Sequence, residues 1–229
     1  GFIDNTTENN KGLFASLRNL TSIANPKRAA IVKEVFEGSN NYMKSGYEMR
    51  KVINNLNKVD FNNSDDKHIF GDIYERILVE LRDAGNKGEY YTPRAVTQLM
   101  TQLTDPKLGE SVLDPAVGTG GFLTCSIDLL KAQIKTADDQ KVFQTAISGI
   151  EKKQLPHLLC TTNMMLHGIE VPQQIRQGNT LKRPLSSIEA SEMVDVIVTN
   201  PPFGGSEEDG IEKNFPSELQ TKETADLFL

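Results

Sequence analysis

One alternation constrains the fold more than any other feature, and it begins after Gly109. Short apolar runs are each followed by a stretch with helical spacing, as far as Thr199. Ser111 to Asp114 reads as a strand, followed by a glycine-rich turn and a helix carrying Phe122, Ile127, Leu130 and Ile134. Ala146 to Glu151 reads as a second strand, with Leu155, Leu158, Leu159, Met165 and Leu166 on the helix behind it. Between these two units, residues 135 to 145 add a polar, partly helical insertion. A third short strand is expected at Ile175 to Gln177. Val194 to Thr199 is an apolar and β-branched run, the pattern of a strand buried on both faces. Strands alternating with helices imply an α/β fold: a mostly parallel sheet with right-handed crossovers and helices on both faces.

The first 85 residues lack this alternation and read as helical. The clearest helix follows Ser64 as N-cap, with Asp65 and Asp66 in its first turn. Ile69, Ile73, Ile77, Leu78 and Leu81 form its apolar face, and Gly85 stops it. Ala29 to Phe36 and Tyr47 to Leu56 are weaker helical stretches. A helical N-terminal domain, 1–85, is therefore expected before an α/β domain, 86–229. At the junction, Gly88 to Arg94 is a loop entering a helix. Thr92 can cap that helix, Pro93 suits its first position, and Val96, Leu99, Met100 and Leu103 form an apolar face. Residues 204 to 223 are polar with little periodicity and read as a mobile loop, with Glu207, Glu208 and Asp209 in solvent. The sequence lacks a starting Met and stops at Leu229 within what reads as a new helix, so a fragment is expected.

Composition excludes several classes. With 25 Lys and Arg against 31 Asp and Glu, the net charge is −6, which argues against a chain that grips nucleic acid alone through a broad basic face. If the substrate is DNA, a partner or a further segment does much of the holding. Two cysteines and three scattered histidines give neither a disulfide framework nor metal-ligand spacing, so no metal is expected. A reducing cytoplasm is the simplest setting for such cysteine usage. No apolar run approaches the roughly 20 residues of a membrane span, and Gly1 to Asn10 lacks a signal-peptide pattern.

Three stretches carry chemistry. The turn Asp114-Pro115-Ala116-Val117-Gly118-Thr119-Gly120-Gly121-Phe122 joins a strand to a helix. Glycines there let a ligand approach the backbone, and the helix start offers N–H groups. The spacing departs from the dinucleotide pattern G-x-G-x-x-G, which disfavours a pyrophosphate, and Asp114 suits a compact cation such as a sulfonium amino acid. The bland reading is an ordinary tight turn. Second, Glu151 ends the next strand, where a carboxylate can accept hydrogen bonds from both ribose hydroxyls of a nucleoside; alone, it is a solvated strand end. Third, Asn200-Pro201-Pro202-Phe203 ends the last strand. The prolines stiffen the backbone and remove two N–H donors, leaving carbonyls, one amide side chain and a ring. An aromatic amine is a poor nucleophile because its lone pair is delocalised. The Asn200 oxygen and the Pro201 carbonyl can each accept one of its N–H groups and localise that pair, while Phe203 stacks on the ring. Catalysis would then rest on positioning and electrostatics, without a covalent intermediate.

Together these residues resemble the methylation (modification) subunits of type I restriction-modification systems, gamma-type N6-adenine DNA methyltransferases. The resemblance covers nearly the whole chain. Asp114 to Phe122 is similar to that family's cofactor loop and Asn200 to Phe203 to its catalytic tetrapeptide. Glu89-Tyr90-Tyr91-Thr92-Pro93-Arg94 is similar to its (Gln/Glu)-(Phe/Tyr)-(Phe/Tyr)-Thr-Pro-Arg segment, and Asn163 to Gly168 to its helix after the acidic residue. The resemblance implies a Rossmann-like methyltransferase fold with S-adenosylmethionine as methyl donor. It implies a cofactor site at Glu89 to Arg94, Asp114, Ala116, Gly118 to Gly121 and Glu151. It also implies DNA as substrate, a specificity subunit as partner and, in some complexes, a restriction subunit. Asn179 stands where the family commonly has Asp, near the expected cofactor adenine. Other acceptors of the same chemistry are cytosine N4, an RNA guanine and a protein glutamine. A different class altogether is a subunit that binds cofactor without turnover. A nicotinamide dehydrogenase is disfavoured by the glycine spacing.

Overall fold

The structure is a computed structural model that describes residues 12–22, 24–37, 43, 45–58, 74 and 92–228. Of the expected helix after Ser64 only Tyr74 is described, and it is helical; Glu89, Tyr90 and Tyr91 lie outside the described residues. The chain forms two compact units, Gly1–Arg76 and Ile77–Leu229.

The first unit is helical where it is described. Helix α1 spans Leu13–Arg18, α2 spans Pro26–Glu37 and α3 spans Gly46–Leu56. Pro26 opens α2, where its missing N–H has no helical acceptor to lose. Ser45 caps α3 by accepting the Glu48 N–H at 3.3 Å. Phe14 meets Phe36 edge-on at 5.6 Å, and Arg18 Nε donates to the Phe36 carbonyl at 2.9 Å, which ties α1 to α2.

The second unit contains α4 (Arg94–Thr104), β1 (Val112–Asp114), α5 (Gly121–Lys131), α6 (Ala137–Phe143), β2 (Ile147–Glu151), α7 (Gln154–Leu166), β3 (Ile175–Gln177), β4 (Val196–Ile197) and the short α8 (Thr224–Phe228). The four strands form one parallel sheet in the order β3-β2-β1-β4. The chain winds from β1 outward to β3, then crosses back to lay β4 on the other side of β1. The reversal puts a crevice at the carboxyl ends of β1 and β4, the place where open α/β sheets bind ligands. Val112 and Ile147 share one face of the sheet and pack with Leu123, Ile127, Leu130, Phe143 and Met164 into a core that is almost wholly buried. The insertion is the capped helix α6: Thr136 and Asp139 form a capping box, and Phe143 anchors it in the core.

Four details differ from expectation, each for a local reason. The apolar stripe of α4 faces outward: Leu99 is 56% and Leu103 77% exposed, while Thr97 and Thr101 are buried. The α4–α5 contact is too close for larger residues there. Thr97 lies 3.4 Å from Cys125 Sγ, and the threonine hydroxyls donate back to the carbonyls of Arg94 and Thr97. Thr92 does not cap α4; Pro93 is the N-cap and makes no side-chain bond, because the Thr92 hydroxyl is engaged elsewhere. In β4, Ile197 is 57% exposed while Val196 and, just past the strand, Val198 turn inward, so only one face of this run packs on the core. Finally, 204–223 is not an unstructured loop. Ser206 bridges Glu223, the Glu207 N–H donates to Lys222, and Leu181, Ile211 and Leu227 form a second small core with Phe215 and Phe228.

Candidate functional site

At the crevice, β1 ends in Asp114 and the turn that follows makes a sharp rise into α5. Gly120 caps α5 in the left-handed region, at φ 90°. A Cβ there would sit 2.8 Å from Met164 Cε and 3.0 Å from Cys160 Sγ, so the turn lies directly on α7 and admits only glycine. Gly118 also has positive φ, but nothing lies within 4 Å of its Cβ position, leaving the backbone open to the crevice. Asn163 Nδ2 supports the turn from α7 by donating to the Thr119 carbonyl at 3.0 Å.

Glu151 faces the same turn from β2. Its carboxylate accepts the Gly118 N–H at 3.0 Å and the Lys153 N–H at 2.7 Å. Each carboxylate oxygen keeps further acceptor capacity, so a ribose hydroxyl can still be received.

Asp114 is 1% exposed. It accepts from Thr199 Oγ1 at 2.7 Å and from the Ala116 N–H at 3.0 Å. Burial pushes its carboxyl up to about 7; the two hydrogen bonds oppose the rise and the charge of Glu151 adds to it. A buried carboxylate of this kind awaits a compensating positive charge. Thr199 directly precedes Asn200, so Asp114 also holds the start of the tetrapeptide.

Asn200 Nδ2 donates to Thr92 Oγ1 at 2.9 Å. This bond uses one of the two amide N–H donors and fixes the orientation of the amide, with the side-chain oxygen on the side away from Thr92. A solvent-open cavity collects Asp114, the turn from Ala116 to Thr119, Gly121 and Phe122, together with Thr92, Thr97 and Asn200. The glycine turn and the Asn200 corner are thus two walls of one site. Glu151 and Asn179 stand beside the turn without lining this cavity, and Phe203 is 68% exposed outside it. Among the described residues, no cluster of His, Cys, Asp and Glu is arranged to hold a metal. Cys160 lies beneath the turn, where burial and then the charges of Asp114 and Glu151 raise its thiol far above the ordinary value. It is not a nucleophile.

Residues 65–228 match the family model described as N-6 DNA methylase. The chain belongs to the N-6 DNA methylase family. Within this family it is 63% identical over 222 residues to the type I restriction enzyme EcoEI methylase subunit of Escherichia coli, covering 96% of this chain and 45% of that protein. It is 30% identical over 221 residues to the type I restriction enzyme StySPI methylase subunit of Salmonella potsdam, covering 90% and 41%. A solved modification subunit from Vibrio vulnificus YJ016, assigned to a type I restriction enzyme, superposes with a TM-score of 0.82 at 48% identity, over 95% of this chain and 45% of that one. The chain therefore spans less than half the length of these N-6 DNA methylase relatives. Its fold is that of S-adenosylmethionine-dependent methyltransferases, with the parallel sheet and glycine turn described above.

Sequence reasoning missed Thr199, Lys152, Thr180 and Glu207. All four act through hydrogen bonds across long sequence separations, which leave no periodic trace. No helix among the described residues is long and apolar enough to cross a membrane.

Proposed function

We propose that this chain is the catalytic segment of an S-adenosylmethionine-dependent DNA methyltransferase acting on the N6 amino group of adenine, the modification subunit of a type I restriction-modification complex. The observation that carries the reading is the single cavity with Asp114 and the glycine turn on one wall and Asn200 on the other. The residues fit the cofactor: a buried carboxylate for a cationic sulfonium amino acid, an open glycine backbone, and Glu151 at the next strand end for ribose hydroxyls.

The cofactor supplies an electrophilic methyl group. The chain's residues do the positioning. Thr92 holds the Asn200 amide so that its oxygen accepts one amine N–H, and the Pro201 carbonyl takes the other. Both acceptors draw electron density onto the nitrogen as it becomes nucleophilic. Phe203, exposed beside the corner, offers a ring face to the base. A base within a duplex cannot reach this corner and must be flipped out. The net charge of −6 leaves the grip on DNA to a specificity subunit, with a restriction subunit joining in the full complex, in the cytoplasm.

The test uses the full-length protein with its specificity subunit, unmethylated DNA and methyl-labelled S-adenosylmethionine, with nucleosides identified by mass spectrometry. Label in N6-methyladenine that disappears in Asn200→Ala is expected. Label in N4-methylcytosine would change the acceptor and keep the mechanism. No DNA label with cofactor binding intact would overturn the proposal.

A further inference from the structure

Glu207 lies only seven residues beyond Asn200, in a polar stretch, yet its side chain is 5% exposed. Three donors from three separate elements converge on it. Lys152, next to Glu151 after β2, donates at 3.0 Å; Asn179, after β3, at 2.7 Å; and Thr224, at the start of α8, at 3.1 Å. Desolvation raises its carboxyl, and the three donors outweigh that and hold it below the ordinary value, so it stays charged.

The arrangement has a direction. Asn179 is itself fixed, because its oxygen accepts the Leu181 N–H at 3.0 Å. Thr180, its neighbour, donates to the Pro115 carbonyl in the glycine turn at 2.5 Å. Asn214 Nδ2 donates to the carbonyls of Leu181 and Lys182, each at 2.9 Å, which closes the folded segment onto the same strand end. A continuous set of bonds therefore runs from the segment after the tetrapeptide, through Glu207, to the ends of β2 and β3 and on to the glycine turn.

We propose that Glu207 is a positioning residue that latches the segment following Asn200–Phe203 onto the cofactor side of the crevice, through an amide–carboxylate pair with Asn179. The pair is polarised: Asn179 must donate and Glu207 must accept. A carboxylate at 179 would face the Glu207 oxygen across hydrogen-bond distance and push the segment away. The inference rests on the proposed function for its cofactor readout and on the fold alone for its second readout.

The experiment compares Asn179→Asp, Glu207→Gln and the double variant in the full-length protein. S-adenosylmethionine affinity is measured by calorimetry, and hydrogen exchange is followed at the Glu207 and Thr224 amides, which donate to Lys222 and Gly205. Asn179→Asp is expected to speed exchange at both amides about 10-fold or more; because Asp is the residue the family commonly carries beside the cofactor adenine, the coupling to cofactor binding is read from Glu207→Gln and the double variant. Glu207→Gln keeps an acceptor oxygen but loses the Lys152 ion pair, so a loss of a few-fold is expected. In the double variant the donor and acceptor exchange places, and both readouts should return to within a few-fold of wild type. Recovery supports a latch, since a merely structural lesson from two damaged sites would be additive loss. Additive loss, or single variants that leave both readouts unchanged, overturns the pairing. Faster exchange without weaker binding in Glu207→Gln overturns the coupling to the crevice. If wild type itself binds no S-adenosylmethionine, the proposed function fails while the exchange measurement still decides the latch.

Discussion

Asp114→Asn isolates the energetic cost of a buried charge. The wild-type carboxyl is raised from 3.8 to about 7, chiefly by burial. At about 1.4 kcal/mol per pH unit, the rise is worth about 4 kcal/mol. Because the folded-state value is raised, the stability it carries is fully present below pH 4 and is lost as pH rises through 7. Below pH 4 the group is protonated in both states; between 4 and 7 the unfolded chain ionises first; above 7 the folded state holds a desolvated carboxylate. The asparagine stays neutral and keeps the oxygen that accepts from Thr199 and Ala116. Any constant cost of burying its NH2 group is independent of pH, so the decisive quantity is how the stability difference changes. Relative to wild type, the variant should gain about 2 kcal/mol from this source at pH 5 and about 4 kcal/mol at pH 8. Urea unfolding of the second unit, followed by circular dichroism at both pH values, measures it. Shifts that titrate elsewhere, such as those of Glu192, Asp195 and Asp209, cancel between the two proteins. A difference that stays constant from pH 5 to pH 8 would refute a desolvated Asp114.

The same group predicts that cofactor affinity falls up to about tenfold per pH unit below 7, because a cation binds the carboxylate form; calorimetry on Asp114→Asn should give a flat profile. Thr92→Val removes the acceptor for the Asn200 amide and should lower kcat about 10-fold, read by single-turnover methylation at saturating S-adenosylmethionine. Gly120→Ala places a Cβ at φ 90° against Met164 and Cys160 and should cost about 2 kcal/mol or more, measured as a drop in Tm. Phe143→Ala empties a fully buried site and should cost about 3–5 kcal/mol by the same measurement.

The sheet was legible because its signal is local and repeated. Apolar runs separated by helical spacing mark β1, β2 and β3 to within a residue, and the insertion at α6 is announced by Thr136 and the acidic residues after it. Asp114 and Asn200 were legible for a related reason: in a parallel sheet, the residues that meet are those ending adjacent strands. Direction was not legible. Val96, Leu99, Met100 and Leu103 do share a stripe, but spacing says which residues share a face and not which face packs. Small residues at 97 and 101 were the overlooked signal, since a helix lying close on its neighbour needs short side chains there. The folded segment from 204 to 223 escaped entirely. Its order comes from Glu207, Asn214 and a core of three residues drawn from Leu181, Ile211 and Leu227, whose spacing follows no period.

Asp114 is at once the buried carboxylate on the glycine-turn wall of the cavity and the acceptor for Thr199, the residue before Asn200. A proton on Asp114, or a cation beside it, therefore changes the strength of the bond that holds the tetrapeptide's first residue, because a hydrogen bond to a charged acceptor is roughly twice as strong as one to a neutral acceptor. With the carboxyl raised to about 7, the two forms are comparably populated near neutrality until a positive ligand arrives. Ligand binding on one wall of the cavity would then fix the charge of Asp114 and tighten the other wall through a single 2.7 Å contact. Strands β1 and β4 are neighbours in register, Val112 beside Val196 and Leu113 beside Ile197, so the contact joins two ends already held by the sheet. The parallel pairing makes that coupling short, and it is the reason a buried acid at this position serves the site better than a solvated one.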